Sequence, residues 1–68
     1  MIKIISVTQL IDIKENDIVI DKSMDNHERY LIKQVDEMKV VLMPEERQEA
    51  VKMFPKMNLL SEDWWIEA

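Results

Sequence analysis

The 68-residue chain contains no glycine and no cysteine, and it has one histidine. Without glycine it cannot form a glycine-rich phosphate loop or the glycine-flanked turn that presents a nucleophilic serine. Without cysteine it has no disulfides and no thiolate ligands, which fits a reducing cytoplasm. The single histidine, His27, lies in a polar stretch with no second histidine to complete a metal site. We therefore expect a protein that is not an enzyme and that uses neither a metal nor a cofactor.

Long apolar runs are also missing. None approaches the ~20 residues that span a bilayer, and Met1–Ile5 is too short for the core of a signal peptide. We expect a soluble, cytoplasmic protein that makes no membrane contact. A chain of this length forms a single domain over residues 1–68.

Apolar residues are abundant for so small a protein. They make up 47% of the chain and include six methionines and two tryptophans. A domain of this size buries only about 60% of the surface that its unfolded chain exposes. Some apolar side chains must therefore stay at the surface, and self-association is the simplest way to cover them. We predict a homodimer.

The formal net charge is −5, and most of the acidic excess lies in residues 35–68. Direct nucleic-acid binding requires a basic footprint that this chain lacks, whereas an acidic surface suits a basic partner protein. Carboxylates at i and i+2 of a strand lie about 6.6 Å apart, close to two steps of ~3.4 Å along a DNA strand. The predicted partner-binding residues are Asp36, Glu37, Glu45, Glu46, Glu49, Glu62, Asp63, Trp65 and Glu67.

The clearest structural pattern is a β-hairpin over Arg29–Met43, two apolar runs separated by Asp36–Glu37. Strict alternation would leave Val35 on the opposite face from Tyr30. A bulge near Lys33–Gln34 instead groups apolar side chains on one face: Tyr30, Ile32 and Val35, opposite Val40 and Leu42. We favour the bulge.

Further strands are predicted at Ile2–Val7, Asp17–Asp21 and Trp64–Ile66. Residues 8–14 fit either a strand or a helical turn, and the alternation of Ile11 with Ile13 favours the extended form. Asn16 is the residue expected to adopt a positive φ in the turn before the second strand, because no glycine is present.

A helix is predicted over Pro44–Met53. Proline suits the first helical position, Glu45 and Glu46 suit the positive end of the helix, and Pro55 ends it. The predicted fold is therefore α+β: a small, mostly antiparallel sheet of four or five strands with one short helix. A barrel-like closure of the sheet stays open as an alternative.

A tiny, glycine-free, acidic chain with an acidic aromatic tail resembles the host-takeover proteins of bacteriophages. Some of these inhibit histone-like nucleoid proteins or other DNA-binding proteins by DNA mimicry. The tail Leu59-Leu60-Ser61-Glu62-Asp63-Trp64 is also similar to the LL-x-x-D-W ending of some small phage anti-defence proteins. The resemblance implies an inhibitor that acts in the host bacterial cytoplasm on a basic DNA-binding protein, with a histone-like nucleoid protein favoured.

A second resemblance points to another class of function. The segments Ile13–Ile20, Arg29–Ile32 and Lys39–Leu42 resemble the strand order of small Tudor- or KOW-like barrels. Those modules often have glycine where this chain has Asn16. This resemblance implies a closed barrel and a protein-interaction adaptor; an antitoxin-like regulator or a purely structural protein is a third alternative.

Overall fold

The computed structural model describes residues 1–67. Its elements are β1 (Ile2–Lys3), α1 (Val7–Asp12), β2 (Ile18–Asp21), β3 (Glu28–Val35), β4 (Lys39–Pro44), β5 (Lys52–Pro55), α2 (Asn58–Ser61) and β6 (Trp64–Ile66). The strands form one antiparallel sheet in the order β1-β6-β2-β3-β4-β5. The predicted antiparallel sheet is confirmed, with six strands instead of four or five. Because β1 and β5 are its two free edges, the sheet is open, and the barrel-like alternative and the Tudor- or KOW-like barrel are wrong.

The hydrophobic core lies on one face of this sheet. Six strand residues supply it, namely Val19, Tyr30, Ile32, Val40, Leu42 and Trp64. They are covered by Ile4, Leu10, Ile13 and Leu59, which come from the two helices and the segments beside them.

The predicted hairpin and its bulge are both confirmed. Ile32 pairs with Leu42 and Val35 with Val40, and the register shifts between Ile32 and Gln34, so Lys33 is the extra residue. Val35 consequently packs against the same core as Ile32. The bulge converts an irregular apolar spacing into one continuous buried face.

The predicted helix over Pro44–Met53 is wrong. Pro44 is the buried last residue of β4, and the amide of Glu45 continues the ladder by donating to the carbonyl of Arg29 at 3.0 Å. Two successive turns follow, and the chain then rejoins the sheet as β5. An isolated helix of this length is marginal in water. Pairing with β4 instead satisfies the backbone of β5 and brings the Phe54 ring to 6.4 Å from that of Trp64.

The N-terminal segment is more helical than the alternation of its isoleucines indicates. The predicted strand Ile2–Val7 shrinks to Ile2–Lys3, and α1 begins directly after Ser6. The amide of Ser6 donates to Gln9 Oε1 at 3.0 Å and the amide of Gln9 donates to Ser6 Oγ at 3.4 Å, a capping box. The extended interpretation of Ile11 is therefore wrong. The predicted strand Trp64–Ile66 is confirmed as β6, and it is preceded by α2, a helix that was not predicted.

Asn16 adopts φ 74°, and its amide donates to the carbonyl of Ile32 at 2.9 Å. A β-branched residue is poorly accommodated in this left-handed region, at a cost of about 1–2 kcal/mol. Asn16→Val is expected to lower the urea midpoint, whereas Asn16→Gly should match or exceed the wild type. Glu15→Val, one residue earlier and exposed, is the control. Equal midpoints for the valine and glycine variants of Asn16 would contradict the positive φ.

Candidate functional site

The structure divides the predicted acidic residues between the two ends of the sheet. Asp36 and Glu37 lie in the β3–β4 turn. At the opposite end, Glu45, Glu46 and Glu49 follow β4, and Glu62 and Asp63 precede β6. The two groups at this second end are neighbours in space because Asp21 pairs with both Glu28 and Trp64, while Tyr30 pairs with Pro44.

We define the acidic end as this second group together with two strand residues that the sequence patterns did not identify, Asp21 and Glu28. Neighbouring strands lie about 4.8 Å apart, so the row from β6 through β2 and β3 to β4 extends over about 14 Å. Its carboxylates lie mainly in turns and at strand ends. The i, i+2 spacing predicted for a phosphate-like row therefore does not apply to Glu45, Glu46 and Glu49.

Part of this negative charge is balanced by nearby basic side chains. Nη2 of Arg29 lies 3.6 Å from Glu45 Oε1 and 2.5 Å from Oε2 of Glu67, which follows β6 and lies outside the acidic end. Nζ of Lys3 lies 3.6 Å from Asp63 Oδ1. These ion pairs are exposed to solvent, so each contributes little free energy.

Four carboxylates of the acidic end form no ion pair within residues 1–67, and one of them, Asp21, is half-buried and accepts hydrogen bonds from Ser23. The other three, Glu46, Glu49 and Glu62, are exposed. They are the carboxylates most available to a positively charged partner.

A polar chain anchors the β4–β5 connection to the sheet. Nη2 of Arg47 lies 2.5 Å from Glu28 Oε1, and the hydrogen bond and charge of Glu28 raise the pKa of Arg47. Burial raises the pKa of Tyr30 to about 12, with further contributions from the charge of Glu28 and a hydrogen bond to it. Because Arg47 lies between Glu46 and Glu49 in the chain, this anchor keeps both carboxylates at the acidic end. Neither Glu28 nor Arg47 was predicted from the sequence.

A polar cleft of about 250 Å³ opens at the acidic end. Its lining residues are Asn26, His27, Glu28, Arg29, Glu45, Glu46 and Arg47. Both arginines already contact carboxylates, whereas Glu46 has no basic partner in the described part of the chain. The cleft is suited to a basic side chain of a partner more than to an anion.

Asp36 and Glu37 are separated from this site. Asp36 Oδ1 accepts hydrogen bonds from the amides of Met38 at 2.8 Å and Lys39 at 2.9 Å. These bonds, and the nearby charges of Lys39 and Lys56, lower the pKa of Asp36. Asp36 is therefore a turn-forming residue, and the structure does not bring it or Glu37 together with the other predicted residues.

The two tryptophans lie on opposite faces of β6, as alternation predicts. Trp64 is buried in the core, whereas Trp65 is half-buried on the other face. The indole N–H of Trp65 donates to Asp63 Oδ1 at 2.7 Å, and Lys22 Nζ lies 4.1 Å from the centroid of its ring. Trp65 is thus held beside the acidic end by its own neighbours.

Within residues 1–67, no three histidine or acidic side chains lie close enough to hold a metal ion. Neither helix of this described part is long and apolar enough to cross a membrane. Comparisons with protein-family models, with curated proteins and with solved structures found no match to this chain.

Proposed function

We propose that this protein is a non-enzymatic inhibitor that binds a basic nucleic-acid-binding protein and occupies its DNA site. It fits the role of a bacteriophage host-takeover protein acting as a DNA mimic, and a histone-like nucleoid protein is the favoured target. One observation carries the proposal: separate segments of the chain bring their carboxylates together at one end of a hydrogen-bonded sheet. Because hydrogen-bonded strands hold both ends of these segments, the charges are presented with little further ordering.

The exposed carboxylates of the acidic end that form no ion pair define the surface that meets the partner. Glu46 and Glu49 lie in the β4–β5 connection and Glu62 lies before β6, so the three are spread across the acidic end. A surface of this sign attracts a positively charged groove and raises the rate of association. The cleft beside Glu46 supplies a place for a lysine or arginine that otherwise contacts a phosphate.

A competition experiment tests the proposal. A bacterial histone-like nucleoid protein is bound to a labelled DNA duplex, and this protein is added at increasing concentration while DNA release is followed by gel shift. Displacement is expected, and it should weaken as salt rises from about 50 mM to about 200 mM because the contact is electrostatic. The triple variant Glu46→Gln, Glu49→Gln and Glu62→Gln should need about tenfold more protein, a loss of about 1.4 kcal/mol.

The control removes the same charge elsewhere. Asp12→Asn, Glu15→Gln and Glu37→Gln are all exposed and lie outside the acidic end, so this triple variant should displace DNA nearly as well as the wild type. Equal losses for the two triple variants would show that net charge alone acts. Displacement that is insensitive to salt would reject an electrostatic contact at the acidic end.

A further inference from the structure

The face of the sheet opposite the core carries a strip of apolar side chains. Ile18 pairs with Leu31 and Leu31 with Met43, while Val41 pairs with Met53, so these residues share one face across four strands. Met53 is 64% exposed, and the others are half-buried. We call them the open-face strip. An antiparallel sheet that meets water on one side normally places polar residues there, so this strip is unusual for a surface left bare.

Charges lie at both ends of the strip, in opposite order. Along β4 and the residue that follows it, the positions that alternate onto this face are Lys39, Val41, Met43 and Glu45. At one end Asp36 lies 3.8 Å from Lys39, and at the other Arg29 lies 3.6 Å from Glu45. At the first end an acidic residue of the β3–β4 turn lies beside a basic residue of β4, and at the second end a basic residue of β3 lies beside an acidic residue that follows β4.

We propose that a second copy of this chain covers the open-face strip. The twofold axis lies between the two packed sheets, perpendicular to β4 and midway between Val41 and Met43. It places β4 of one copy antiparallel over β4 of the other. It places Lys39 over Glu45 of the partner subunit and Val41 over Met43 of the partner subunit. Packed sheets lie about 10 Å apart, a distance that lysine and glutamate side chains bridge from opposite sides. The flexible methionines adapt to the facing surface.

The charge pattern favours a second copy of this chain over a uniformly basic partner. An isologous interface requires a surface that is complementary to itself after a twofold rotation. Lys39, two apolar residues and Glu45 in alternation satisfy that requirement, whereas a uniformly basic partner would meet Lys39 and Arg29. Glu46, Glu49 and Glu62 lie at the end of the sheet, outside the strip. Dimerisation therefore leaves them accessible and does not depend on the function proposed above.

A charge-swap experiment tests the interface by sedimentation equilibrium. The wild type should sediment at about twice its chain mass of 8.2 kDa. In Lys39→Glu alone and in Glu45→Lys alone, like charges meet twice, so each variant should dissociate at concentrations about tenfold higher than the wild type does. Mixing the two variants should restore the dimer, because one chain then carries acidic ends and the other basic ends. Restoration on mixing also shows that both variants are folded.

Two methionines provide a matched pair of variants. Met53→Glu introduces a charge into the open-face strip and should give a monomer, whereas Met38→Glu, at the tip of the β3–β4 turn, should remain dimeric. Both side chains are largely exposed, at 64% and 78%, so neither change disturbs the core. A monomeric wild type at high micromolar concentration overturns the proposal. So does a mixture that associates no better than its components, or a dimer that survives Met53→Glu.

Discussion

Replacing Trp64 with alanine is expected to remove about 3–5 kcal/mol from the free energy of unfolding. That is a large share of the total of about 3–10 kcal/mol for a domain of this length. Trp64 is 4% exposed, and its ring centroid lies 5.4 Å from that of Tyr30 and 6.4 Å from that of Phe54. It therefore joins β6 to side chains of β3 and β5 across the core. The loss is measured by urea unfolding followed by far-UV circular dichroism.

The neighbouring residue provides the control. Trp65→Ala removes a side chain of the same size. Trp65, however, is half-buried on the opposite face and contacts polar groups. Trp65→Ala should cost less than half as much as Trp64→Ala. Equal losses would contradict the difference in burial, and a larger loss for Trp65→Ala would mean that the orientation of β6 is the reverse of the one described.

The central hairpin could be predicted because its information is local. Asp36 and Glu37 separate two β-branched runs, and the position of Val35 relative to Ile32 is compatible with a buried face only if one residue bulges. Neighbouring residues in the sequence are here neighbours in the sheet. The structure accordingly confirms both the hairpin and its bulge.

The segment after Pro44 could not be predicted in the same way. Its proline and glutamates fit a helix start, yet the outcome depends on the free edge of β4 and on the space beside Trp64, both set by distant residues. The N-terminal helix, in contrast, had a visible signal. Ser6 and Gln9 are spaced as a capping box, and their bonds outweigh the alternation of Ile11 with Ile13.

For the candidate site, composition identified the acidic residues but not their grouping. Asp21, Glu28 and Glu45 meet through two consecutive hairpins, but Asp63 joins them only because β6 inserts between β1 and β2, a pairing of segments far apart in sequence. The contact between Arg29 and Glu67 depends on the same pairing. Which carboxylates are balanced and which remain available is therefore a property of the topology.

The second large effect is expected at Leu59, the one fully buried residue of α2. A helix of four residues has no stability of its own, and Met57 at its N-terminus provides no side-chain cap. Packing of Leu59 against the core must hold it in place. Leu59→Ala should therefore cost about 2–5 kcal/mol, the usual range for a buried leucine. It should also release the turn bonds that the amides of Leu59 and Leu60 make to the carbonyls of Lys56 and Met57.

Urea unfolding and amide hydrogen exchange measure these two consequences together. Protection of the Leu59 and Leu60 amides should fall further in Leu59→Ala than protection of the Ile32 amide, which lies on β3 and donates to the carbonyl of Asp17, the residue before β2. Met57→Ala is the control, because this side chain is 58% exposed and begins the same segment. If both variants lose equal stability, α2 is held by its backbone. A loss confined to Leu59→Ala shows that packing of this one leucine holds α2 in place. Because Glu62 and Asp63 connect α2 to β6, the same packing then positions the start of the strand that completes the acidic end.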